Sequence, residues 1–132
     1  MTLLFDIGCN EGNYTLKNMH KFDKIVCVDA SPIQIDIISK IVPLEKCIIA
    51  NYIVTNEEIS DFFICNSSGI STVSREWING KGRFAPGGPD YDVNFIWNRV
   101  SNIPCVTIDK LVNTYGTPDF IKIDVEGHEE NV

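Results

Sequence analysis

The sequence predicts an α/β fold, a doubly wound and mostly parallel sheet with helices on both faces. Three observations predict it. Continuous apolar runs, rather than alternating ones, recur at residues 3–7, 24–29 and 119–124, the pattern of strands buried on both sides. Segments with helix starts and stops separate these runs, so the opening order reads strand, helix, strand, helix, strand. Each run carries or ends in an acid (Asp6, Asp29, Asp124), and the first drives straight into a glycine loop. Sheets of this kind bind ligands beyond the carboxyl ends of their strands.

In order, Leu3, Leu4, Phe5 and Ile7 form the first strand, and Gly8, Asn10 and Gly12 follow in a loop that lets a ligand approach the backbone. Residues 14–20 form a short helix. Residues 24–29 are the second strand, after which Ser31 as N-cap and Pro32 at the first helical position start a helix. Ile33, Ile37, Ile38 and Ile41 lie along one face of that helix, and Pro43 stops it. A third strand begins at residues 47–50 and runs on to Val54. Asn56, Glu57 and Glu58 turn the chain, and residues 59–65 return as its antiparallel hairpin partner. Residues 104–108 are a short strand and 109–115 a helix with Leu111, Val112 and Tyr115 inward and Gly116 as its stop. The fourth parallel strand is 119–124, and residues 129–132 open a further helix.

The 132 residues predict one domain over 1–132. Residues 75–99 stand apart as a lid-like insertion, rich in Gly, Pro and aromatics, because long irregular excursions in small domains are usually functional or disordered; a merely structural insertion is the alternative. Arg75, Trp77, Lys81, Arg83, Trp97 and Arg99 within it could stack on a sugar ring or meet an anionic group. The net charge of −7 argues against a nucleic-acid surface, although residues 75–99 carry four basic and three acidic groups and leave −8 to the rest. No apolar run approaches about 18 residues and no signal peptide precedes the first strand, so neither membrane nor export is expected. Five cysteines (Cys9, Cys27, Cys47, Cys65 and Cys105), odd in number and without CxxC spacing, read as buried apolar side chains in a reducing cytoplasm.

The loop's ligand can be narrowed by elimination. A nicotinamide fingerprint counted from Gly8 requires glycine at positions 10 and 13, and both are asparagine. No phosphate-cradling GxxxxGK[ST] exists. Asp29 lies 17 residues after Gly12, near the spacing at which a second-strand acid accepts both ribose hydroxyls of a nucleoside. With no Lys or Arg in the loop, a neutral or cationic centre such as a sulfonium nucleoside is favoured over a triphosphate.

Asp6-x-Gly8-x-Asn10-x-Gly12, Asp29-Ala30-Ser31-Pro32 and Ile121-Lys122-Ile123-Asp124-Val125-Glu126-Gly127 resemble the FkbM-type S-adenosylmethionine-dependent methyltransferases. Residues 69–74 and 107–111 resemble further blocks of that family, and the likeness runs through nearly the whole chain in order. It implies a Rossmann-like class I methyltransferase sheet with S-adenosyl-L-methionine as cofactor. Gly8, Asn10 and Gly12 would line the methionine part of that cofactor, with Asp6 fixing the loop. Asp29 would hold the ribose hydroxyls, Ala30 would lie beside it, and Val54 and Thr55 would flank the adenine. Asp124 would stand beside the methionine amino group and the transferring methyl, with Glu126 across the turn.

Methyl transfer is an in-line displacement helped by alignment in a dry pocket, and an alcohol acceptor also benefits from a base. Asp124 and Glu126 are the candidate catalytic residues; the acceptor is expected to be a hydroxyl of a sugar, glycan or small metabolite. His128 reads as a surface or helix-start residue, and no metal site is expected from Asp124, Glu126 and His128. The resemblance leads one to expect strands beyond Val132, so the chain reads as C-terminally truncated, with an open sheet edge for an oligomer or partner chain to cover. The alternatives are a non-catalytic nucleoside-binding module and, less well supported, a nicotinamide-dependent oxidoreductase.

Overall fold

An apolar run buried on both sides must have neighbours on both edges, and the computed structural model of the protein places β1 (Leu3–Ile7) between two parallel strands, with every one of its residues buried. The structure describes residues 1–59, 61–65, 96–125 and 132. After β1 come α1 (Asn13–Asn18), a single 3-10 turn (Met19–Lys21), β2 (Lys24–Asp29), α2 (Pro32–Ser39), β3 (Cys47–Asn51) and β4 (Ile53–Val54). Then follow β5 (Asp61–Cys65), β6 (Trp97–Ser101), β7 (Cys105–Val106), α3 (Ile108–Tyr115) and β8 (Phe120–Ile123).

The central sheet has the order β3-β2-β1-β8, all parallel. The chain fills one side of β1 with β2 and β3, then returns to the other side with β8. That reversal opens a crevice at the carboxyl ends of β1 and β8. Residues in register on parallel strands share a face, which splits the core in two. Leu3, Phe5, Ile7, Val26 and Val28 pack under Leu111 of α3, with Val112 and Tyr115 beside it. Leu4, Ile25 and Cys27 pack under Ile38 and Val42, with Tyr14 and Met19 joining from the first helical segment. Helices therefore cover both faces, as the strand pattern requires. Full burial of side chains such as Leu4, Phe5 and Ile7 contributes about 1.5–3 kcal/mol each.

Three local expectations need correction. The third strand does not run unbroken to Val54. It ends at Asn51, Tyr52 N–H donates to the Asp29 carbonyl (3.2 Å), and Ile53 and Val54 pair instead with Cys105 and Val106 of β7. Residues 59–65 do not return against the third strand. The Thr55 hydroxyl accepts from Glu57 N–H (3.1 Å), the local bond that turns the chain at this point, and β5 pairs antiparallel with β6, from Asp61 opposite Ser101 to Cys65 opposite Trp97. Finally, the isoleucines of α2 do not all face the sheet. Ile38 is fully buried, and Val42, one turn later, is buried with it, whereas Ile33 is 57% exposed and Ile37 and Ile41 also face out. Residues 33, 37 and 41 form one i, i+4 line, and Ile38 sits about 100° around from it. An eight-residue helix turns only one of those two lines inward.

The helix starts follow local chemistry. Ser31 caps α2, its hydroxyl accepting from Gln34 N–H (3.4 Å), and Thr107 caps α3 by accepting from Lys110 N–H (3.1 Å). Of the expected lid, residues 75–95 lie outside the described residues, and Trp97, Asn98 and Arg99 belong to β6. The segment 66–74 and residues 126–131, with Glu126, Gly127 and His128, also lie outside them.

Candidate functional site

The carboxyl ends of β1, β2 and β8 meet at the first loop. Gly8 has φ +76°, and the N–H groups of Gly8 and Cys9 both donate to the Val28 carbonyl (2.8 and 3.1 Å), which bends the loop over β2. A side chain at Gly8 would be driven into the Asp124 carbonyl, because Gly8 lies directly beside the residue that follows β8. Glycine here lets β1 and β8 close together. Gly12 (φ +86°) serves a different contact, since a Cβ there would meet Ile38 Cγ1 at 2.8 Å.

Asp29 organises the loop through its carboxylate. Oδ2 accepts from Asn10 N–H (2.8 Å) and Oδ1 from Ser31 N–H (2.9 Å), so each oxygen has one backbone donor and keeps a second lone pair. Burial pushes the Asp29 carboxyl above the usual carboxylate range, and the nearby Asp6 adds to that push. The two backbone donors and the Lys122 ammonium work against it. Asn51 fixes the following peptides, its Nδ2 donating to the carbonyls of Asp29 (2.9 Å) and Ala30 (3.0 Å).

Asp6 is fully buried below the loop. Thr15 Oγ1 donates to its Oδ2 (2.6 Å), and Lys122 Nζ stands 3.2 Å from its Oδ1 as an ion-pair partner without a well-aimed hydrogen bond. The same ammonium donates to the Gly8 carbonyl (2.8 Å) and lies 5.7 Å from the centre of the Tyr14 ring. Asp6 and Lys122 are register partners on adjacent strands, which brings both to the same face.

Beyond these strand ends lies a cleft enclosing about 440 Å³ of space, open solvent at its mouth included. Its walls bring together Gly8, Asp29, Ala30, Val54 and Asp124 of the sequence candidates, with Tyr52, Ile53 and Phe62 as an apolar side. Asp6, Asn10, Gly12 and Thr55 are not among the lining residues. Asp6 anchors the floor, Asn10 reaches the site through its N–H to Asp29, Gly12 packs on Ile38, and Thr55 is buried with its N–H on Val106. Asp124 is exposed at the cleft, its N–H held by the Ile7 carbonyl (3.0 Å). An acceptor-rich carboxylate, a glycine floor, an apolar wall and an acid at the mouth together suit the sugar, base and cationic parts of a nucleoside.

Sequence reasoning gave no role to Thr15, Asn51, Tyr52, Phe62 or Lys122. A signal existed for Lys122 alone, the one charge inside the apolar stretch FIKI, two residues before Asp124 just as Asp6 stands two before Gly8. Cys9, Cys27 and Cys47 are buried free thiols in one cluster, and Cys105 is exposed. A hydrogen bond to Cys27 and burial push the Cys9 thiol strongly up; burial pushes Cys47 up to about 11. Among the described residues no group of His, Cys, Asp or Glu is placed to hold a metal ion, and no helix is long and apolar enough to cross a membrane.

Searches of curated proteins and of solved structures return no match. The methyltransferase FkbM domain matches residues 7–132, from the last residue of β1 through the loop, the cleft and β8. That span is nearly the whole chain, and the chain belongs to the FkbM methyltransferase family.

Proposed function

We propose that the protein is an S-adenosylmethionine-dependent methyltransferase acting on a hydroxyl of a sugar, glycan or small metabolite. The observation that carries this reading is the cleft at the sheet's switch point, where Asp29 keeps accepting capacity beside a glycine floor. The residues present fit the cofactor. Asp29 can accept two ribose hydroxyls, Val54, Ile53 and Phe62 can exclude water around an adenine, and Gly8 leaves room at the floor. When bound, the cofactor supplies an electrophilic methyl on a sulfonium centre.

The chain's own groups do the rest. Asp124 is the carboxylate that meets the ligand's amino group or takes the acceptor's proton, and Glu126 is the second candidate for that proton. Alignment of acceptor and donor in a partly apolar cleft supplies much of the remaining acceleration. Free thiols at Cys9, Cys27, Cys47 and Cys105 among the described residues support a reducing compartment, the cytoplasm in this reading. Phe120 and Ile123 stand exposed on β8, at the edge of the central sheet among the described residues, which supports a further strand or second chain pairing there.

Calorimetry with S-adenosylmethionine, S-adenosylhomocysteine and NAD tests the reading. Both sulfur nucleosides are expected to bind and NAD to fail, with Asp29→Ala abolishing the binding. Absence of any sulfur-nucleoside binding overturns the proposal. Binding without methyl transfer to any hydroxyl acceptor would leave a nucleoside-binding module instead.

A further inference from the structure

Lys122 is a long, flexible cation on the one strand position where it can reach three elements at once. From β8 its ammonium touches buried Asp6 on β1 (3.2 Å), the Gly8 carbonyl in the loop (2.8 Å) and the Tyr14 ring at the start of α1 (5.7 Å). Its side chain is 20% exposed, so these contacts replace water rather than supplement it. We propose that Lys122 is a positioning residue for the cofactor loop, locking Gly8 in place and neutralising Asp6 so that the loop and Asp29 are set before a ligand arrives. The inference rests on the methyltransferase reading for its functional meaning, and on the contacts of Lys122 alone for the clamp.

Asp6 is 0% exposed, with one hydroxyl donor from Thr15 and one cation from Lys122. The Gly8 carbonyl accepts from the ammonium (2.8 Å), in a loop where Gly8 itself has φ +76°. Gly8 and Cys9 in turn donate to Val28, and Asn10 to Asp29, so the chain of bonds from Lys122 ends on the carboxylate that lines the cleft. Charged and titratable groups around Asp29 are Asp6 from β1, Lys122 from β8, Cys9 from the loop, and Asp124 and Tyr52 across the cleft. Lys122 is the one cation among them, and it favours the ionised form of Asp29.

Two measurements decide the matter. In the ligand-free protein, Lys122→Met is expected to speed hydrogen exchange at the Gly8, Cys9 and Asn10 amides. Lys122→Met combined with Asp6→Asn, which leaves no buried charge uncompensated, is expected to do the same, because the Gly8 carbonyl still loses its donor. Unchanged exchange in the double variant overturns the clamp. In titrations with S-adenosylhomocysteine from about pH 5 to about pH 8, Lys122→Met should bind about tenfold to a hundredfold more weakly. Its acid limb should move to higher pH, and Lys122→Arg should restore that limb. A loss equal at every pH, or a limb that Arg leaves displaced, overturns the electrostatic role. If the unsubstituted protein binds no sulfur nucleoside, the methyltransferase reading falls, and the exchange data still decide the role of Lys122.

Discussion

Replacing Gly8 by alanine tests how tightly the loop and β8 are joined. Two costs add. The φ of +76° is a left-handed conformation, which costs an L-residue about 1–2 kcal/mol. The new Cβ also collides with backbone, the Asp124 carbonyl, which cannot swing aside as a side-chain tip would. Relief requires the end of β8 to move away from β1, breaking the Asp124 N–H bond to Ile7 (3.0 Å), about 1 kcal/mol more. The expected loss is therefore about 2–3 kcal/mol, a large part of a typical 5–15 kcal/mol stability. Urea denaturation followed by circular dichroism measures it as a fall in midpoint at constant slope. Gly12→Ala is the internal control. Its φ is equally left-handed, but its Cβ meets only Ile38 Cγ1 (2.8 Å) and Cδ1 (2.9 Å), a side chain that can rotate. It should cost less than Gly8→Ala. A Gly8→Ala loss under about 1 kcal/mol, or the reverse order of the two variants, would refute the close β1–β8 approach.

Further predictions concern charge, thiols and packing. Asp6→Asn leaves Lys122 largely enclosed without its counter-ion and weakens the 2.6 Å bond from Thr15, so a loss of about 3 kcal/mol is expected in the same denaturation assay. Because the folded pKa of Asp29 is raised, its ionisation opposes folding. That contribution is absent below the unfolded value of 3.8 and grows as pH rises through the folded value, so the stability of wild type relative to Asp29→Asn should drift downward across that window in urea titrations at stepped pH. Alkylation of the native protein followed by peptide mass spectrometry should label Cys105 well before Cys9, Cys27 or Cys47, which react only on unfolding. Ile38→Ala should cost about 2–5 kcal/mol and Ile33→Ala about 0.5 kcal/mol or less, which thermal melts can rank.

The parallel strands and the helices between them were legible because double burial leaves a continuous apolar signature. Leu3–Ile7, Lys24–Asp29 and Phe120–Ile123 lie where their composition puts them. The start of α2 was legible for a similar reason, since Ser31 and Pro32 act locally. Pairing was less legible, because a partner is chosen by tertiary context. Nothing in Ile53 and Val54 announces that they leave the third strand for Cys105 and Val106, and nothing in Asp61–Cys65 names β6 as its mate. Five isoleucines within the nine residues 33–41 offered two inward faces, and periodicity alone could not choose between them. At the site, the acids and glycines stood out as breaks in apolar runs. Tyr52 and Phe62 did not, because a wall residue and a core residue look the same in sequence.

The pairing of Asp6 with Lys122 also bears on how the cleft treats its guest before and after chemistry. With those two groups paired below the floor, the acidic side chains lining the cleft among the described residues are Asp29 and Asp124. A pyrophosphate would meet repulsion there, which sets the cleft against dinucleotides for a reason independent of glycine spacing. In the proposed reaction the donor's sulfonium charge disappears when the methyl leaves, and with it the Coulomb attraction to Asp124. The cleft would thus grip the spent thioether less firmly than the donor, so turnover is favoured by a charge balance already built into the fold.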